Sequence, residues 1–202
     1  MTRHLVLARH AEIGPEYAGQ FVGSTDMPLS SQGKQQAAAL AEAIAPLGDA
    51  SLQASPMRRS VQTVEAFHSP WQGDDDLREI DFGRWEKRSF DEIAATEPAE
   101  QIEAWNRFDP DFAFPAGESL AGFLERIARV GDRLASAAQK TAIVVTHGGV
   151  IRALICHLLG LRMRDYVLFE VERASVTRID VHDGQGVLVG LNDRSHLRES
   201  ES

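Results

Sequence analysis

Residues 4–14 read HLVLARHAEIG: Leu5, Val6, Leu7 and Ala8 form an unbroken apolar run that ends on Arg9 and His10. Side chains alternate between the two faces of a strand, so a short run with no polar residue on either face reads as a strand covered on both sides. The same design returns at residues 141–153, TAIVVTHGGVIRA, where Ala142–Val145 lead into Thr146, His147 and two glycines. One histidine at the tip of an apolar strand can be accidental. Two of them ask for a shared cause.

Between these strands the chain alternates. Residues 28–48, PLSSQGKQQAAALAEAIAPLG, carry serines at a helix start, an alanine-rich body and Gly48 past the end. ASLQAS (50–55) is a second short strand, and Pro56 opens PMRRSVQTVEAFH (56–68) as a helix, proline being tolerated in a first turn. Residues 116–138 form a long amphipathic helix that feeds the strand at 141–146. GGVIRALICHLLG (148–160) is the next helix, and ASVTRIDVHD with GVLVGLN supplies a C-terminal pair of strands. Strands alternating with helices imply an α/β three-layer sandwich, with a mostly parallel central sheet and helices on both faces. Ligands of such sheets bind at the carboxyl ends of the strands, where Arg9, His10 and His147 fall.

Residues 85–114 break the alternation. They hold six of the fourteen Phe, Trp and Tyr residues, which argues for a small helical cap packed over the sheet rather than a flexible linker. With 202 residues the chain is read as one domain, residues 1–202, with this cap inserted and residues 198–202 frayed. The net charge of −9 argues against nucleic acid, which needs a basic footprint. No apolar run approaches the roughly 20 residues that span a bilayer. Nor is there a cationic start leading into an apolar stretch, so no secretory signal is expected. Cys156 is the only cysteine and is read as helix packing; with no intrachain disulfide possible, a reducing, cytoplasmic setting is expected.

Five segments in order, LARHAE, FVGSTDMPLSSQG, ASPMRRSVQT, LREIDFGRWE and VVTHGGVIR, together resemble the histidine phosphatase superfamily, with its phosphoglycerate mutase-like fold. The resemblance runs from residue 5 to about residue 178. It implies that His10 is the nucleophile that forms a phosphohistidine, and that Arg9, Arg59 and His147 grip the phosphoryl group. It makes Glu79 the proton donor to the leaving oxygen. The chemistry agrees, since a neutral imidazole nitrogen is available near pH 7 and phosphoryl transfer needs fixed positive charge around its oxygens. Arg59 is chosen over Arg58 because the family's arginine directly precedes a small residue, here Ser60. The resemblance also places Glu16, Phe21, Val22 and Ser24 in the substrate loop, and gives backbone N–H groups around Gly148 and Gly149 as anion contacts.

Three positions depart from the family pattern: Ala11 replaces the glycine after the nucleophile, Glu16 a substrate-binding asparagine, and Lys87 a glycine of many phosphatase-like relatives. His4, His68, His157, His182 and His196 lack motif context and are read as structural or surface residues. GDDDLRE (73–79) is read as a loop with a solvated charge run, because consecutive carboxylates cannot all face one ion. Glu118 and Ser119 are read as the start of the long helix.

The expected activity is therefore metal-independent phosphomonoester hydrolysis through phosphohistidine, on a small phosphorylated metabolite and with no cofactor. LREIDFGRWE looks closer to the phosphatase branch that includes alpha-ribazole phosphatases than to the mutases, which carry ERHYG after the catalytic glutamate. Mutase-type transfer and a non-catalytic phosphate-binding module are the alternatives. The sequence specifies no oligomeric state.

Overall fold

The computed structural model describes residues 2–45 and 50–197. Gly48 and the tail at 198–202 lie outside the described residues. Strands β1 (Thr2–Arg9) and β4 (Thr141–Thr146) run side by side in parallel, with His4 opposite Thr141 and Arg9 opposite Thr146. That register carries His10 and His147 off the sheet at the same edge.

The apolar runs are two-sided, as their sequences require. Leu5, Leu7, Ala142 and Val144 point to one face, against Phe123, Ile127, Val130 and Leu134 of α5 (Leu120–Ser136) and Ile151, Leu154 and Leu158 of α6 (Gly148–Leu159). Ala8, Ile143 and Val145 point to the other, against Leu40 and Ala41 of α1 (Ser31–Ala43) and Val64 of α2 (Arg58–Glu65). Helices therefore cover both faces of one sheet, at about 25 cal/mol for each Å² of apolar surface withdrawn from water. The strand order is β3-β2-β4-β1-β5-β6. Strands β2 (Ser51–Ala54) and β3 (Gln72–Gly73) extend the parallel part. Strand β5 (Val176–His182) is antiparallel to both β1 and β6 (Gln185–Asp193). A two-residue strand such as β3 is too short to leave a periodic pattern.

Capping follows the local chemistry. The Ser30 hydroxyl accepts the Gly33 N–H at 3.0 Å, and the Ser119 hydroxyl accepts the Gly122 N–H at 3.1 Å. Gly160, at φ 66°, ends α6 in the left-handed conformation. Helix α2 is shorter than its sequence suggests. It starts at Arg58, not at Pro56, because Met57 is extended at φ −70°, ψ 137°, and it has ended before His68, whose φ is 49°.

The segment at 85–114 is packed. It holds two short helices, α3 (Phe90–Ala94) and α4 (Ala99–Asn106). Trp85 is fully buried, with its ring centroid 5.3 Å from Phe114, 5.8 Å from Phe112 and 5.8 Å from Trp105. The contacts with Phe114 and Trp105 are edge-on, which suits the aromatic quadrupole, and the one with Phe112 is tilted at 45°. Trp85, Ile93, Phe112 and Phe114 belong to the same core cluster as Leu5 and Leu7.

The acidic run is more engaged than a solvated loop. Asp74 and Asp76 both pair with Arg133 of α5, and Asp76 also reaches Arg129 at 3.3 Å, while Asp75 faces Arg78. Among the described residues no carboxylate, histidine or cysteine cluster could hold a metal ion, and no helix is long and apolar enough to cross a membrane. Cys156 is buried, and burial pushes its thiol up to about 11, which leaves it as packing.

Lys87 explains one departure from the family pattern, since its φ of 59° lies in the region that glycine adopts freely. Its N–H donates to the Phe21 carbonyl at 2.7 Å and locks the chain there. Relief of the left-handed strain outweighs the greater entropy of an unfolded glycine, so Lys87→Gly should stabilise the fold by about 0.5–1 kcal/mol. Urea denaturation measures this; a destabilised variant would show that the lysine side chain matters more than its backbone.

Candidate active site

His10 follows the last residue of β1, and its backbone is held from both sides. Its N–H donates to the Thr146 carbonyl at 2.8 Å, and its carbonyl accepts the Ala174 N–H at 3.1 Å. The ring nitrogen Nδ1 lies 2.8 Å from the Ala11 carbonyl. A carbonyl can only accept, so Nδ1 carries the proton and Nε2 keeps a bare lone pair. Burial, then the charges of Arg59 and Arg9, hold the imidazole well below its ordinary value of 6.5. Ala11 is itself fully buried, with its N–H on the Thr63 hydroxyl at 3.1 Å.

His147 lies beside it, with ring centroids 5.2 Å apart and planes at 60°. Arg59 Nε donates to His147 Nδ1 at 3.2 Å, which fixes the opposite tautomer. The proton is then on Nε2, which donates to the Ser55 hydroxyl at 2.8 Å. Burial, then Arg59, keep this ring well below 6.5 too. The paired imidazoles are both neutral and are set in opposite senses.

Arg59 is fully buried in the first turn of α2, while Arg58 is exposed. Its terminal nitrogens donate to the Thr25 and Gly23 carbonyls at 2.9 and 2.8 Å. Arg9 Nη1 donates to the Val171 carbonyl at 2.7 Å, and its Nε is buried with no partner. Burial, then the nearby charge of Arg173, lower Arg9 to about 10, so it stays cationic at neutral pH. Among the described residues neither arginine has a carboxylate in salt-bridge contact. Two cations and two neutral imidazoles around a donor without an acceptor suit an anion.

Glu79 reaches the site from the loop after β3. Its Oε2 accepts the Gly149 N–H at 2.9 Å, in the first turn of α6. That contact explains the second glycine, because a Cβ on Gly149 would stand 2.3 Å from Glu79 Oε1. The Gly149 N–H, expected as an anion contact, is thus already engaged by Glu79.

A cavity of about 400 Å³ lies beside these groups, lined by Arg9, Glu79, Gly148 and Gly149 on one side and by Phe21, Val22, Phe82 and Trp105 on the other, while His10, Arg59 and His147 are buried behind its wall. Arg9, His10, Arg59, Glu79, His147 and Gly148 come together, and of these Arg9, Glu79 and Gly148 share the cavity wall with Phe21 and Val22. Ser24 and Glu16 do not line it. The Ser24 hydroxyl donates to Asp81 at 2.7 Å. Glu16 is exposed on the short turn Pro15–Tyr17, where its charge acts on Arg173.

Glu86 escaped the sequence reading. Its carboxylate accepts the N–H groups of Gly23, Ser24 and Thr25 and the Thr25 hydroxyl, the last at 2.7 Å. It thereby fixes the loop whose carbonyls hold Arg59. Arg152 and Tyr166, also in the cavity wall, were missed as well. A signal for Arg152 existed, because it lies one helical turn beyond Gly148 and so shares its face.

The profile of the histidine phosphatase superfamily (branch 1) matches residues 5–194. Phosphoserine phosphatase 1 of Hydrogenobacter thermophilus is 30% identical over 200 residues, covering 96% of this chain and 94% of that one. A phosphoserine phosphatase from Entamoeba histolytica, solved in complex with 3-phosphoglyceric acid, superposes with a TM-score of 0.86 at 26% identity, over 97% of this chain and all of that one (100%). The alpha-ribazole phosphatase from Shigella flexneri gives a TM-score of 0.81 at 28% identity, over 95% and 96% of the two chains. With these phosphatases as its relatives and a superfamily match over nearly its whole length, the chain belongs to the histidine phosphatase superfamily and is a phosphoric monoester hydrolase.

Proposed function

We propose that this enzyme hydrolyses a small phosphorylated metabolite without a metal ion, through a phosphohistidine on His10 Nε2. The observation that carries this reading is the tautomer of His10: the Ala11 carbonyl takes the Nδ1 proton and leaves Nε2 as a nucleophile beside Arg9 and Arg59. In the first step the Nε2 lone pair forms a bond to phosphorus as the bond to the leaving oxygen breaks. The Glu79 carboxyl gives that oxygen its proton. In the second step water attacks phosphorus while the Glu79 carboxylate takes a proton from it, and the P–N bond pair returns to Nε2. Arg9 and Arg59 hold the phosphoryl oxygens throughout, which supplies the positive charge a metal ion supplies elsewhere. His147 orients Arg59 through Nδ1. The segment at 85–114 caps the site within a single domain and contributes to substrate choice, with Phe21 and Val22 as the loop residues nearest the substrate. The names of relatives support this substrate class, since they include phosphatases of phosphoserine and of alpha-ribazole phosphate. A lone, buried Cys156 fits a cytoplasmic setting.

His10→Ala should abolish turnover yet still bind vanadate or phosphate, because the arginines remain. Rapid quench of the wild type with labelled substrate should trap label that survives alkali and is released by acid, as a phosphoramidate is. Acid-stable label, or a competent His10→Ala enzyme, ends this reading.

Glu79→Gln should slow alkyl phosphates by about 10²–10⁴ and an activated aryl phosphate far less, since an acid contributes only where the departing oxygen needs a proton. Steady-state rates on both substrates decide it; equal losses would mean that Glu79 acts by holding α6.

Below 6.5 the unfolded chain protonates His10 and His147 while the folded one resists, so stability is full above 6.5 and falls as the pH drops. Each ring adds a slope of at most about 1.4 kcal/mol per pH unit. Urea midpoints measured from about pH 7.5 to about pH 5.5 should fall less steeply for His10→Ala than for the wild type, because one resisting ring is gone. Identical slopes would show that His10 titrates normally.

A further inference from the structure

The cavity holds a cation that the phosphoryl chemistry does not use. Arg152 lies on α6 three residues beyond Gly149, so roughly 5 Å of helix separates it from the Glu79 contact. Its guanidinium carbon stands 5.4 Å from the centroid of the Tyr166 ring. The guanidinium also hydrogen-bonds the Tyr166 hydroxyl, but its Nε is buried with no hydrogen-bond partner, and among the described residues it makes no ion pair. Tyr166 offers no negative charge, because burial, and then Glu79, raise its phenol to about 12. Apolar side chains surround the pair, among them Phe21, Trp105, Phe108 and Met163. An unpaired donor on a cation facing an apolar-walled cavity is costly unless a ligand supplies the acceptor.

The remaining space sets the scale of that ligand. At about 400 Å³ the cavity is much larger than a phosphoryl group, and its aromatic wall suits a flat or apolar body. We propose that Arg152, steadied by the face of Tyr166, is a second anion subsite that receives a carboxylate on the leaving group of the substrate. This rests on the phosphomonoesterase reading above. A carboxylate matches one guanidinium in charge and in its two-oxygen fork. A second phosphate dianion would leave uncompensated negative charge against the aromatic wall, since Arg9 and Arg59 are committed to the first. The substrate class is therefore a phosphomonoester that carries a carboxylate on its leaving group.

The test compares two synthetic esters of equal size, 4-carboxyphenyl phosphate and its neutral isostere 4-carbamoylphenyl phosphate. The wild type should favour the acid over the amide in kcat/KM by about tenfold or more, chiefly through KM, as for one charge-assisted contact. Arg152→Met should bring the ratio to about one, and Arg152→Lys, which keeps the charge but not the fork, should retain part of the preference. A wild-type ratio at or below one overturns the subsite, and so does an equal loss on both esters in Arg152→Met. If Arg152→Met does not fold, the wild-type ratio and Arg152→Lys still decide. If the wild type cleaves neither ester nor any other phosphomonoester, the phosphatase reading itself fails and the subsite falls with it.

Discussion

The Arg59 guanidinium is buried without a carboxylate against it, and much of the site follows from how that charge is accommodated. Its acceptors are two backbone carbonyls, of Gly23 and Thr25, and one imidazole nitrogen. Carbonyls can serve only if their loop is rigid, and Glu86 makes it so by gathering the N–H groups of residues 23–25. The imidazole can serve only if it is neutral with Nδ1 bare, and so His147 places its proton on Nε2, against Ser55. A carboxylate in direct contact would have neutralised Arg59 at lower cost. It would also have occupied the positive charge that an anionic substrate needs.

Neutrality then spreads to the neighbouring ring. His10 lies against His147 and is burdened by the charges of both Arg59 and Arg9, so its protonated form is disfavoured. The Ala11 carbonyl settles which nitrogen keeps the proton. The same positive field that is proposed to hold a phosphoryl group thus keeps the proposed nucleophile deprotonated. These are one electrostatic arrangement and not two, so weakening a cation affects both binding and the lone pair.

The strands and the two histidines were legible in the sequence because their signals are local. Leu5–Ala8 and Ala142–Val145 alternate between two core clusters, and an all-apolar run predicts that before any partner is known. The choice of Arg59 over Arg58 followed from a neighbouring residue in the motif; in the structure Arg59 is buried beside His147 and Arg58 is exposed. Less legible were contacts that join distant segments. Glu86 acts on residues about sixty positions away, and Tyr166 reaches the cavity from the turn Met163–Leu168, which has no periodic pattern. The start of α2 was misplaced by two residues because Pro56 suits a first turn in general, whereas Met57 here is extended. Ser24 and Glu16 fell in the expected loop, but a loop assignment does not fix where a side chain points, and the Ser24 hydroxyl turns to Asp81.

The two glycines after His147 join these levels. Gly148 passes close to Arg9, where a Cβ would stand 3.2 Å from the guanidinium carbon, and Gly149 passes so close to Glu79 that no Cβ fits. Side chains at either position would separate the helix start from the groups it serves. Their absence lets α6 bring its N-terminal backbone against a carboxylate while its next turn carries Arg152 into the cavity wall. One helix therefore holds the proposed proton donor at its first turn and presents the Arg152 cation three residues further on, about 4.5 Å along its axis. Under the proposed carboxylate subsite, the selectivity of the enzyme rests on α6 as much as on the aromatic cap, because both line the cavity.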